Sequence, residues 1–165
     1  MSVPAVRRIL VGVDGSVESV AALRWACREA SLRGAEVHAV HVREAHCHSL
    51  PGYAAPAPSS QSACDDFDVE ELADKVKAEF GPDVEIKGEV IDGLAARILL
   101  ERCSGADMLV LGTASDIAGA PRPAGPVIRA CLRRAACPVV VIGAERESAR
   151  HAEDAGAQVK VPAGV

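Results

Sequence analysis

Ala106–Ile142 reads ADMLVLGTASDIAGAPRPAGPVIRACLRRAACPVVVI, and this stretch decides the fold. Met108–Gly112 is a short apolar run, fit for a strand buried on both faces. A loop rich in Gly and Pro follows, then Val127–Ala136 with helical periodicity, then a second apolar run, Val139–Ile142. Strand, loop, helix and strand in this order form a parallel crossover unit. In an open parallel sheet such a unit sets a loop and a helix N-terminus at the carboxyl edge of the strands, where ligands bind.

The same alternation runs through the rest of the chain. Arg8–Asp14 (RILVGVD) predicts a buried strand, and Ser16 caps a helix that carries Val20, Leu23, Cys27 and Ala30 inward and stops at Gly34. Ala35–Val42 (AEVHAVHV) is the next strand, and Arg43–Asp66, rich in Ala, Pro and Ser, is expected to be a mobile loop. Asp68–Phe80 is helical, with acidic residues in its first turn. Val84–Ile91 (VEIKGEVI) alternates as a strand near a sheet edge does, and Gly93–Ser104 is a helix. The fold class is therefore α/β: a single doubly wound domain with a five-stranded parallel sheet flanked by helices. Residues 1–143 form the domain, and 144–165, polar and without a pattern, are expected to be a disordered tail.

Composition excludes several function classes. Only 2% of the 165 residues are aromatic, so the core is aliphatic and no stacking platform for single-stranded nucleic acid is expected. A net charge of −5 disfavours nonspecific binding to DNA or to anionic membrane. No run approaches the roughly 18 apolar residues of a transmembrane helix. Asp14 interrupts the first apolar run, no cleavage site follows, and a cytoplasmic location is expected. The six cysteines include no Cys-x-x-Cys pair and read as reduced small hydrophobes.

The residues offer no catalytic set. Ser16 lacks the Gly-x-Ser-x-Gly setting of a nucleophile, and the acidic group from Asp65 to Glu71 suits a helix N-terminus. His38 and His41, three apart on a strand, point to opposite faces, and His46, Cys47 and His48 lack a second ligand pair, so no metal site is expected.

ILVGVDGS with Asp14, the pair His41–Val42, DMLVLG and CPVVVI occur in an order and spacing that resemble the universal stress protein family over about residues 7–143. The resemblance implies an adenine nucleotide alpha hydrolase-like fold and a homodimer paired antiparallel through Val139–Ile142. In one branch of the family it implies ATP, with Mg²⁺, bound between the first and fourth strands. It places Val13, Asp14 and Val42 on the adenosine side and Gly112, Ser115, Gly125, Pro126 and Val127 on the phosphate side. The ATP-binding branch carries Gly, two residues, Gly, nine residues, then Gly followed by Ser or Thr. Gly112 and Gly125 match the outer positions. Ser115 replaces the middle glycine, Pro126 the hydroxyl residue, and Ile128 a further hydroxyl position.

These replacements have physical consequences. Serine restricts backbone that would approach phosphates but offers its own hydroxyl. Proline removes both a hydroxyl and an N–H at a helix start, although it suits the first helical position. Asp14 reads equally as a ligand acceptor or as a turn residue before Gly15 and Ser16, Gly112 as a ligand glycine or as a strand-end glycine, and Arg122 as a phosphate partner or as solvated. The expected function is a non-catalytic, dimeric stress-response module with a degenerate cleft for adenine nucleotide, ATP or AMP. The alternatives are an ATP-binding member with slow Mg²⁺-dependent hydrolysis and a purely protein-interaction module.

Overall fold

The computed structural model describes residues 7–44, 67–113 and 124–143. Most of the predicted 43–66 loop and all of the 144–165 tail lie outside the described residues.

Among the described residues nine elements alternate in the expected order: β1 (Arg8–Gly12), α1 (Val17–Arg33), β2 (Glu36–Arg43), α2 (Val69–Phe80), β3 (Glu85–Asp92), α3 (Ala95–Cys103), β4 (Met108–Thr113), α4 (Pro126–Arg134) and β5 (Val139–Gly143). All strand pairs are parallel, and the order is β3-β2-β1-β4-β5. The chain winds outward one way from β1 and then the other way from β4. The switch point therefore lies between β1 and β4, where Leu10 pairs with Leu109 and Val11 with Val110.

Each central strand divides its side chains between two cores. Ile9, Val11, Val37, Ala39 and Val110 pack against Leu23, Ala26 and Cys27 of α1 and Val69 and Val76 of α2. Leu10, Val40, Leu109 and Leu111 pack on the other face, against Leu99 and Cys103 of α3 and Ile128 and Cys131 of α4. This double burial explains why β1 and β4 read as continuous apolar runs, while the alternating β3 sits at an edge.

The helix ends follow their local chemistry. Ser16 accepts from Ser19 N, Asp68 accepts from Glu70 N and Glu71 N, and Gly34 closes α1 with φ 64°. Several boundaries differ from the sequence reading by one or two residues, β1 ending at Gly12 rather than Asp14 and α3 beginning at Ala95 rather than Gly93 among them, and three more stand out. Arg43, expected to open the loop, ends β2, where its guanidinium grips both oxygens of its β3 partner Asp92 at 2.9 and 3.2 Å. Pro126 is itself the first residue of α4. That helix stops at Arg134, short of Ala136, because Ala135 turns to extended backbone (ψ 139°) ahead of Cys137–Pro138.

Candidate functional site

The carboxyl ends of β1, β2 and β4 and the start of α4 enclose a cavity of about 250 Å³ at the switch point. Val13, Asp14, Val42, Gly112, Gly125, Pro126 and Val127, seven of the eight residues named from the sequence, line it. Ser115 lies outside the described residues, as do Pro121, Arg122 and Pro123.

The floor begins where β1 ends. Val13 N donates to Val40 O at 2.9 Å, which carries the ladder one residue past β1. Val13 O lies 2.8 Å from Nδ1 of the buried His41. A carbonyl only accepts, so Nδ1 carries the proton. Phe67 meets the imidazole edge-on at 4.8 Å. The chain then turns at Gly15, whose φ of 81° favours glycine; a Cβ there would also stand 2.9 Å from the Phe67 ring.

Asp14 serves this turn through one oxygen. Its Oδ1 accepts from Ser16 N at 2.9 Å and from the Ser16 hydroxyl, while Ser19 Oγ accepts from Asp14 N at 3.3 Å. Among the described residues Oδ2 has no partner. Desolvation raises the Asp14 pKa, but hydrogen bonding, chiefly from the Ser16 hydroxyl and amide, outweighs it and holds the carboxyl below its ordinary value. The turn role and an open acceptor thus coexist in one side chain.

The two motif glycines stand in different surroundings. A Cβ on Gly112 would lie 2.3 Å from Glu18 O and 2.7 Å from Ser19 N, both backbone atoms of the first turn of α1. The close approach is internal, between β4 and α1. Gly125 is the N-cap of α4, with an ordinary φ of −61°, and a Cβ there would meet nothing within 4 Å among the described residues.

At the start of α4 the donors are few. Gly125 offers no capping side chain, Pro126 has no N–H, and the first regular helical bond runs from Arg129 N to Gly125 O. The amides of Val127 and Ile128 remain outside that ladder. Among the described residues, Asp14 is the only charged residue lining the cavity and Ser19 the only hydroxyl in its walls. No described Lys, Arg or His side chain lines it. Apolar contact dominates: Val40, Val42, Leu99, Leu111 and Ile128 form most of the wall.

The sequence reading missed the α3 side, Ala95 and Leu99. Ala95 N is capped by Glu44 Oε1 at 2.9 Å, so the residue after β2 fixes the helix that closes the cavity. Ser19 and Val40 were also missed. Val40 was accessible by alternation, since it shares a strand face with Val42. Among the described residues no group of three or more His, Cys, Asp or Glu side chains is placed to hold a metal ion. Nor is any described helix long and apolar enough to cross a membrane.

A doubly wound α/β domain with a cavity at its switch point belongs to a class that binds small ligands there. Residues 5–143 match the universal stress protein family, and the chain belongs to that family. It is 33% identical over 147 residues to a universal stress protein of Mycolicibacterium smegmatis, covering 86% of this chain and 49% of the relative. It is 31% identical over 140 residues to one from Mycobacterium tuberculosis, covering 81% of this chain and 47% of the relative. The chain thus spans about half the length of these curated relatives. Among solved structures, a universal stress protein in complex with cAMP is 26% identical and superposes with a TM-score of 0.55, over 84% of this chain and 97% of the other.

Proposed function

We propose that the protein is a non-catalytic, dimeric, cytoplasmic stress-response module whose cleft takes an adenine nucleotide through its nucleoside end. The observation that carries this reading is the character of the cavity: an apolar wall, one carboxylate with an unpartnered oxygen, and no described cation. A ribose or adenine group offers hydrogens to Asp14 and an apolar face to Val13, Val40 and Val42. A triphosphate would bring several negative charges next to Asp14 and find a helix start without its first N–H. The cAMP complex of the 26%-identical family member is consistent with such a ligand, since a cyclic phosphodiester carries a single charge.

The second reading, an ATP-binding member with slow Mg²⁺-assisted hydrolysis, is favoured by Gly112 and Gly125 lining the same cavity at the motif spacing. Calorimetric titration of the full chain with ATP, ADP, AMP and cyclic AMP separates the two. Comparable, weak affinities across the series support the nucleoside reading; a clear gain with each added phosphate supports the other. Binding of none of them turns the reading to a protein-interaction module. The proposed domain comprises residues 1–143, and the proposed dimer pairs β5 with its copy, because Val139–Ile142 forms a half-exposed apolar edge.

A further inference from the structure

The ladder between β1 and β2 ends in an exchange of donors. Its register closes with Gly12 opposite Val40, so Val13 comes next to His41. Val13 N bonds Val40 O at 2.9 Å, and the following bond of a parallel ladder would run from Val42 N to Val13 O. That bond is absent. Val13 O is taken instead by the His41 imidazole, whose Nδ1 lies 2.8 Å away. Backbone groups alternate between the two edges of a strand: Val40 O faces β1, and Arg43 O faces β3, where Gly93 N donates to it at 3.0 Å. Val42 N therefore faces the β1 side, just past the end of β1, at the cavity that Val13 and Val42 both line.

We infer that His41 is a positioning residue of the cleft: by giving Val13 O a side-chain hydrogen in place of the next β2 amide, it stops the ladder and leaves the Val42 N–H open as a donor to an acceptor on the bound ligand. The inference rests on the nucleoside reading of the cleft for what that ligand is, and on the strand geometry alone for what His41 does. With Asp14 as an acceptor after β1, an open donor on β2 gives the cavity both kinds of hydrogen-bonding group, and a nucleoside carries the complement of both.

Stability alone does not call for histidine here. His41 shares its strand face with Val37 and Ala39, which pack in the core beneath α1 and α2. The residue is 5% exposed, and its Nε2 is buried without a hydrogen-bond partner among the described residues. An aliphatic side chain would fill the position with no orphaned nitrogen, whose burial costs free energy. Two contacts aim the ring: its bond to Val13 O, and Phe67, which meets it edge-on with centroids 4.8 Å apart. Phe67 also lies against Gly15, so ring, carbonyl and turn brace the chain on both sides of Asp14.

Hydrogen exchange on the ligand-free full chain, followed amide by amide by NMR, tests the placement without any variant. The Val42 amide should exchange at least about tenfold faster than that of Val40, which the register sets against Val11 inside the sheet. The ring nitrogen shifts of His41 should report the Nδ1–H tautomer. His41→Leu, which fills the space without a donor, should let Val42 N bond Val13 O and bring its exchange down to that of Val40. His41→Asn, whose side-chain amide nitrogen stands close to the place of Nδ1, should keep the wild-type pattern. In calorimetry His41→Leu should weaken AMP binding up to about tenfold, the worth of one hydrogen bond, and His41→Asn should restore most of it. If the wild-type protein binds no AMP, the nucleoside reading fails while the exchange rates still decide the role of His41. A wild-type Val42 amide as slow as that of Val40, an Nε2–H tautomer, or unchanged Val42 exchange in a folded His41→Leu overturns the proposal.

Discussion

Replacing Gly112 with alanine tests whether this motif glycine serves the fold or the ligand. The added Cβ would stand 2.3 Å from Glu18 O, 2.4 Å from Glu18 C and 2.7 Å from Ser19 N, whereas ordinary contact begins near 3.4 Å. The first turn of α1 or the end of β4 must therefore retreat by about 1 Å. Both are backbone, tied by the Ser16 cap and by the ladder to β1 and β5, so neither yields as a flexible side chain would. Overpacking of this kind costs about 1–3 kcal/mol, and the rigid obstacle places Gly112→Ala at the upper end. Gly125→Ala is the matched control. Its Cβ meets nothing within 4 Å among the described residues, and two effects of opposite sign, each about 0.5–1 kcal/mol, nearly cancel: loss of glycine's entropy in the unfolded chain and a poorer N-cap. Urea unfolding of the ligand-free protein reads both. A Gly112→Ala change below about 0.5 kcal/mol, or a Gly125→Ala change as large as that of Gly112→Ala, would refute the reasoning.

Restoring Ser115→Gly together with Pro126→Ser should raise ATP affinity by about one to two decades, since a charge-assisted hydrogen bond is worth about 1.5–3 kcal/mol, and should raise AMP affinity less; equal gains for both ligands would count against the phosphate assignment. Asp14→Asn keeps an oxygen for Ser16 but loses the charge, so stability should hold while nucleoside binding weakens, as thermal melts and calorimetry would show. Val140→Lys should shift the proposed dimer toward monomer in light scattering at tens of micromolar, and a wild-type monomer under those conditions removes the proposed interface. Glu36 bonds Arg8 at 2.9 Å and Lys87 at 3.1 Å, and these partners, with His38, lower its carboxyl to about 2. Its folded value lies below its ordinary 4.5, so its stabilisation is present above that value and lost as pH falls toward 2. Glu36→Gln should flatten the acid-unfolding profile in that window.

The fold was legible because its signals are local. Runs such as Ile9–Val11 and Leu109–Leu111 need burial on both faces whatever the rest of the chain does, and Ser16, Gly34 and Asp68 satisfy helix ends within their own neighbourhoods. The errors arose where two local rules compete. Val127–Ala136 has a helical pattern to its end, but Pro138 biases the chain before it toward extended backbone, and the helix yields at Ala135. Arg43 looked like the start of a polar loop, yet a cross-strand carboxylate at Asp92 keeps it in β2. The approach of α1 to Gly112 had no local signal. It depends on β4 lying beside β1, which places the end of one strand under the helix that follows the other.

The cleft was legible on the side that carries a motif and hidden on the side that does not. Asp14, Gly112 and Gly125 announced themselves by residue type and spacing, but Ala95 and Leu99 enter the cavity only because the crossover from β3 to β4 carries α3 past the ends of β1 and β2. That unmarked side is apolar, and so are the two positions, Pro126 and Ile128, where the family resemblance expects hydroxyls. Both substitutions fit the fold well: proline is preorganised for the first helical position, and Ile128, at 9% exposure, extends the core formed by Leu10, Leu99 and Leu111. The same residues that stabilise the start of α4 take away its grip on an anion, leaving the Val127 and Ile128 amides as its remaining donors. With Asp14 the sole described charge at the cavity wall, each further phosphate on a bound ligand adds repulsion that no described cation offsets. On the proposed function, the polarity of the cleft therefore favours the uncharged part of a nucleotide.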